Sequence, residues 1–138
     1  MAARQARSHT REVPVEIVFI AEWEMACCGD PFAVGSRVSW HLTPAGDKWL
    51  SGLLDRAPAG VTTYFDNHFD GPEPPVKSGV VRSIGAVSCR YRKRRGALVP
   101  VAGSETVRPI QKAEGGEIDG DGPERFIGYI VELETLTP

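Results

Sequence analysis

Between Val13 and Met25 an apolar residue falls at every second position: Val13, Val15, Ile17, Phe19, Ala21, Trp23 and Met25. A period of two is that of a β-strand, whose successive side chains point to opposite faces, so this face belongs against a core. Glu16, Glu22 and Glu24 take the other face, while Val18 and Ile20 between them imply that the middle of the strand is covered on both sides. Fifteen glycines and eleven prolines in 138 residues supply frequent turns and leave little room for long helices. A chain of this length can bury a core as one domain without disulfide staples, and its 41% hydrophobic residues are an ordinary globular share. The class expected is mostly β.

The rest of the chain extends this reading. Residues 1–12 are polar and aperiodic, which predicts a mobile tail before a single β-rich domain over residues 13–138. After Cys27-Cys28-Gly29-Asp30-Pro31, a turn sequence, Val34, Val38, Trp40 and Leu42 alternate inward and Arg37, Ser39 and His41 outward, with Gly35 expected at a bulge or sharp bend. Thr43 and Pro44 read as the cap and first residue of a short amphipathic helix carrying Trp49, Leu50, Leu53 and Leu54 on one stripe. Val61–Phe65 is a third strand, followed by the polar loop 66–71 and an extended linker set by Pro72, Pro74 and Pro75. Gly79–Tyr91 is a long strand with Val87, Cys89 and Tyr91 on one face and a bulge expected at Gly85. Leu98–Val101 and Thr106–Gln111 read as edge strands limited by Pro100 and Pro109, residues 113–123 as a mobile loop, and Phe126–Leu133 as the last strand. In that strand Ile127, Tyr129, Val131 and Leu133 point inward.

Charge narrows the function classes. A net charge of −2 and a pI near 5.9 do not suit a whole-surface nucleic-acid binder. The distribution is uneven, because residues 90–95 hold five basic side chains around Tyr91, whereas carboxylates dominate from Glu105 onward. Arg4, Arg7 and Arg11 precede an apolar run in the manner of a signal peptide, but that run is short, alternating and interrupted by Glu16. No stretch reaches the ~18 apolar residues of a membrane span. The expected compartment is the cytoplasm, where Cys27, Cys28 and Cys89 stay reduced, and three cysteines do not suit a disulfide framework.

The run Cys27-Cys-Gly-Asp-Pro-Phe-Ala-Val-Gly-Ser-Arg-Val-Ser-Trp40, together with Ser78-Gly-Val-Val-Arg-Ser-Ile-Gly-Ala-Val-Ser-Cys-Arg-Tyr91, resembles a family of small uncharacterised actinobacterial proteins from Streptomyces-like genomes. That family is a domain of unknown function, so the resemblance implies no activity, substrate or cofactor. Phe32-x-Val-Gly-x-x-Val-x-Trp40 with Gly79-Val-Val is also similar to SH3-like barrels, which often bind peptides or nucleic acid. The architecture expected is therefore a small bent antiparallel sheet, or a partly open SH3-like barrel, with one short amphipathic helix.

Two residue sets carry candidate chemistry. Cys27, Cys28, His68 and Cys89 together contain the thiolates and imidazole of a tetrahedral zinc site, a workable one taking one of the adjacent pair, Cys89, His68 and a fourth ligand such as Asp66 or Asp70. Adjacent cysteines fit that geometry poorly, since ribbons space them two apart so that both sulfurs reach one ion. The bland alternative places Cys89 in the core and Cys28 beneath the turn. Nucleophilic use of Cys27 or Cys28 is opposed by Glu22, Glu24 and Asp30, which raise rather than lower a thiol pKa. The second set, Arg90, Arg92, Lys93, Arg94 and Arg95, could neutralise phosphates or meet a protein partner, or form a solvated hairpin tip. No phosphate loop, nucleophile elbow or zinc-protease helix is present. The function expected is a non-catalytic binding or interaction module with a protein partner and no membrane. The alternative is a zinc-binding module that contacts nucleic acid through Arg90–Arg95.

Overall fold

The computed structural model describes residues 14–44, 61–66, 72–101, 103–115 and 124–136, with only the backbone of Cys28. Along the chain run β1 (Val15–Ala21), α1 (Glu22–Cys28), β2 (Phe32–Ala33), β3 (Arg37–Pro44) and β4 (Thr63–Phe65). They are followed by β5 (Val76–Arg94), β6 (Ala97–Pro100), β7 (Thr106–Ile110), β8 (Lys112–Ala113) and β9 (Glu124–Thr135). Seven strands form one sheet in the order β3-β4-β1-β9-β5-β6, with β7 also on β5, and β2 and β8 form a separate small ladder. The sheet is mixed rather than antiparallel, because β4 pairs in parallel with β1 (Val18 beside Thr63). Residues 22–62 separate the two strands, long enough for the crossover that parallel neighbours require.

Strand β3 pairs with β5 over Arg37–His41 and Val76–Val80, so the sheet bends back on itself around the larger core. This contact takes in only the start of the 19-residue β5. The remainder leaves β3 and pairs with β9, β7 and β6, and the result is a strongly bent sheet rather than a closed barrel.

Inside the bend Val18, Ile20, Leu42, Phe65, Val81, Ile84, Tyr129, Val131 and Leu133 are buried together with Met25, Phe32 and Ala113. On the opposite face Phe19, Ala21, Val87, Cys89 and Ile127 form a second, smaller cluster. The opposite placing of Val18 and Phe19 follows from strand alternation and explains why β1 is apolar on both faces. Two bulges reset the facing of the long strands. Arg82 is skipped between the pairs Val81–Leu133 and Ser83–Glu132, and Ile127 between Val87–Gly128 and Ser88–Phe126. Each bulge inserts one residue and flips the alternation, which is why Phe126 and Tyr129, three apart, face the same core while Ile127 joins the other. Gly85 makes no bulge. It pairs regularly with Pro109 and Ile130, and its missing side chain leaves room for Val107.

Four expectations change at the level of local structure. The first strand ends at Ala21, and Glu22–Cys28 is the helix. Glu, Met and Ala are good helix formers, and Glu22 and Glu24 in the first turn complement the positive end of its dipole. The alternation thus runs past its own strand, and Trp23 is 53% exposed whereas Glu24 and Met25 are buried. Thr43 and Pro44 do not begin a helix but end β3, and the Thr43 hydroxyl donates to the Asp66 carboxylate. The remainder of that expected helix, from residue 45, lies outside the described residues, as do the tail and residues 116–123 of the expected loop. Val34 is exposed in a turn whose next residue, Gly35, has φ +93°, a backbone conformation costly for any side chain. Ala113, expected in a mobile loop, is buried and paired with Phe32. No helix among the described residues is long and apolar enough to cross a membrane.

Candidate functional site

The Cys-Cys-Gly-Asp-Pro-Phe stretch folds as the end of α1, a turn and β2, and it stands opposite the first half of β3. Between them lies a cavity of about 360 Å³ lined by Gly29–Phe32, Arg37–His41 and Phe65. That volume is at the lower end of the range of ligand pockets. Its floor is aromatic. Phe32 meets Trp40 edge to face at 5.0 Å and 71°, and Trp40 meets Phe65 at 5.8 Å and 81°. Tyr129 continues the row at 6.1 Å from Phe32, with Phe126 a further 4.9 Å on. Such a row is held from four strands and is stiff, because each ring buttresses the next.

The lips are polar. Asp30 lies on the turn side, with Arg37, Ser39 and His41 on the β3 side. The Ser39 and Ser78 hydroxyls share a hydrogen bond of 2.7 Å across the strand pair. The half-buried His41 ring places Nδ1 2.9 Å from the Pro74 carbonyl and Nε2 3.2 Å from Glu73 Oε1, which ties the proline-rich linker to β3. Ser39 and His41 are therefore held by other groups and do not form a nucleophile–base pair.

The backbone of β3 adds a second property. Leu42 N donates to the Pro75 carbonyl and Val81 N donates to Ser36 O, so even-numbered residues of this strand direct their backbone groups toward β5. In an antiparallel ladder the alternate residues point the other way. His41 O, on that other edge, accepts from Asp66 N where β4 begins to pair. At Arg37 and Ser39 no strand among the described residues pairs on this edge.

Of the expected zinc ligands, Cys27 and Cys89 have described side chains. Cys27 is disulfide-bonded rather than reduced, and His68 and the Cys28 side chain lie outside the described residues. Cys89 is a free thiol, fully buried in the smaller cluster with Phe19 and Ile127. Burial pushes its pKa up; a hydrogen bond with Tyr91 opposes this and the nearby Glu105 carboxylate reinforces it. Tyr91 is raised as well, first by burial and then by Cys89 and Glu22. A thiol held protonated in this way is a poor metal ligand and nucleophile. No group of three or more His, Cys, Asp and Glu among the described residues is placed to hold a metal ion.

The basic segment forms the β5–β6 hairpin. Its turn is Arg95-Gly96, both with positive φ, and Lys93 and Arg94 are strand residues rather than part of the turn. Arg90, Arg92, Lys93, Arg94 and Arg95 are exposed, and Tyr91 packs against the smaller cluster, as the alternation implies. This tip and the groove sit toward opposite ends of β5, separated by about a dozen residues, on the order of 40 Å of strand. They do not form one surface.

Alternation alone places Trp40 in the core and His41 on the outer face of its strand, and it gives Phe65 no role beyond its strand. The floor joins residues 32, 40 and 65, whose contact depends on β4 docking beside β3. The one local signal was an aromatic residue on each side of the Val34–Gly35 turn.

A family model described as a family of unknown function (DUF6578) matches residues 15–135. No curated protein and no solved structure matches the chain.

Proposed function

We propose that this chain, which belongs to that family of unknown function, is a non-catalytic binding module that takes an apolar side chain of its ligand into the groove between Gly29–Phe32 and β3. The observation that carries this reading is the cavity of about 360 Å³ in which the Phe32, Trp40 and Phe65 rings meet a predominantly polar lining that includes Asp30, Arg37, Ser39 and His41. An apolar floor supplies affinity and the polar lip supplies orientation, which is the usual division of work in a binding site. Ser39 and His41 on the lip are held in structural hydrogen bonds to Ser78 and to the Pro74 carbonyl.

The test is a titration of the full chain with indole and with N-acetyl-leucinamide, followed by amide and indole nuclear magnetic resonance shifts. Saturable shifts confined to Phe32, Trp40, Phe65 and the Gly29–Pro31 turn, and abolished by Trp40→Leu in a folded variant, support the reading. Shifts scattered over the surface, or unchanged in Trp40→Leu, overturn it.

A further inference from the structure

We infer that the β5–β6 hairpin is a second binding surface, independent of the groove, that holds the phosphate backbone of double-stranded nucleic acid without reading its bases.

Three observations carry this assignment. First, Arg90, Arg92, Lys93, Arg94 and Arg95 are all exposed, and none forms an ion pair with a described residue. From Tyr91 to Pro100 the sequence holds no carboxylate. Across the hairpin Arg92, Lys93 and Arg94 face Val99, Leu98 and Ala97, and Glu124 stands cross-strand from Arg90 at the root. The positive charge is therefore left for a partner to neutralise.

Second, the strand arranges these cations. Tyr91 packs against the smaller cluster, so alternation puts Arg90, Arg92 and Arg94 in one row on the opposite face. Same-face neighbours on a strand stand roughly 6.6 Å apart, close to the step between successive phosphates of a nucleic-acid strand. Lys93 projects from the other face and Arg95 from the tip.

Third, Arg95 has φ 54° and is the one residue other than glycine with a positive φ among the described residues. The Arg95-Gly96 turn suits Asn or Gly at its first position, because a longer side chain is strained there. A local rule is broken, and the effect is a cation at the outermost point of the hairpin.

The side chains also select the occupant. Four of the five are arginines, whose planar fork meets phosphate oxygens in pairs. A single strand is held largely by bases stacking on aromatic rings, and Tyr91, the one aromatic residue of the hairpin, is packed inward. A duplex carries twice the linear charge of either strand and needs no such platform. A lipid surface needs several apolar anchors beside the cations, and Leu98 is the one large hydrophobic residue exposed on the hairpin.

The experiment is fluorescence anisotropy of a labelled random-sequence DNA duplex titrated with the full chain over a range of salt. The expected result is binding at low salt with a log–log slope steeper than about −2.7, the value for three phosphates neutralised by the arginine row. Arg92→Ser combined with Arg94→Ser flattens the slope by about 1.8 and weakens low-salt binding by about tenfold. Arg82→Ser combined with Arg108→Ser removes the same charge from exposed positions elsewhere and leaves the slope unchanged. Circular dichroism checks that both double variants keep the parent fold. No binding at low salt, or equal weakening in the two double variants, overturns the proposal. Equal or tighter binding to the single strand, to poly-glutamate or to phosphatidylserine vesicles also overturns it, by assigning the hairpin to that occupant instead.

Discussion

Gly128→Ala tests the packing that holds the central strands together. Strands β1 and β9 approach so closely at this position that a Cβ on residue 128 would lie 2.4 Å from Ile20 O and 2.7 Å from the Phe19 ring. The carbonyl cannot retreat, because residues 15–21 are paired with β9 along their whole length. The Phe19 ring cannot move far either, since it is fully buried. Relief must come from separating the ladder, and overpacking of this kind costs about 3 kcal/mol, at the upper end of its usual range. For a domain of this size that lowers Tm by on the order of 10 °C. Gly85→Ala is the control. There the added Cβ meets only Val107 Cγ1, at 2.5 Å, on the exposed side chain of edge strand β7, which can shift. Its cost stays within about 1 kcal/mol, partly offset by the lower chain entropy of alanine in the unfolded state. Urea denaturation of both variants gives the comparison directly. Equal destabilisation of the two, or a Gly128→Ala protein as stable as the parent, would refute the close approach of β1 and β9.

Three further outcomes are expected. Burial raises the Glu16 pKa, but its hydrogen bonds from Lys77, at 2.6 Å, and from the Thr62 hydroxyl outweigh this and leave it below the ordinary carboxylate value. A depressed folded pKa adds stability above the unfolded value of about 4.3 and loses it as pH falls through the folded one. Glu16→Gln should thus cost about 0.5–1 kcal/mol at pH 7, with the gap to the parent closing below about pH 4, and a gap independent of pH in denaturation curves contradicts the pairing. The Cys89 thiol, fully buried and held protonated, should react with a thiol reagent at neutral pH only through unfolding, on the order of 10³-fold more slowly than in denaturant. Rapid labelling of native protein at Cys89 would show that the smaller cluster is open. If the five exposed cations of the β5–β6 hairpin bind a polyanion, the affinity of the chain for random-sequence DNA should fall steeply with salt, with a log–log slope as large as about −4; no binding at low salt rules that surface out.

The fold was legible where burial follows a local period. The faces of β1, β3 and β5 follow from alternation, because a residue's side is fixed by its neighbours two positions away. It was illegible where the partner in space decides. Trp23 and Met25 keep the strand period, yet the chain turns helical at Glu22. Thr43-Pro44 has the form of a helix start, but pairing with Tyr64 and Thr63 draws these residues into a strand. The bulge at Ile127 leaves no mark in composition, and it alone puts Ile127 and Tyr129 on different cores. For the site, the turn at Gly29–Pro31 stood out in the sequence, although for its cysteines rather than for the wall it builds. The groove itself depends on Phe32, Trp40 and Phe65 meeting across three strands, which is not a property of any single segment.

The groove lined by Phe32, Trp40 and Phe65 is the center of this account, and titrating indole into the full chain and into Trp40→Leu tests it most directly. The account predicts saturable shifts at Phe32, Trp40 and Phe65 in the parent that are lost in the folded Trp40→Leu variant, whereas equal binding by the two proteins would contradict it.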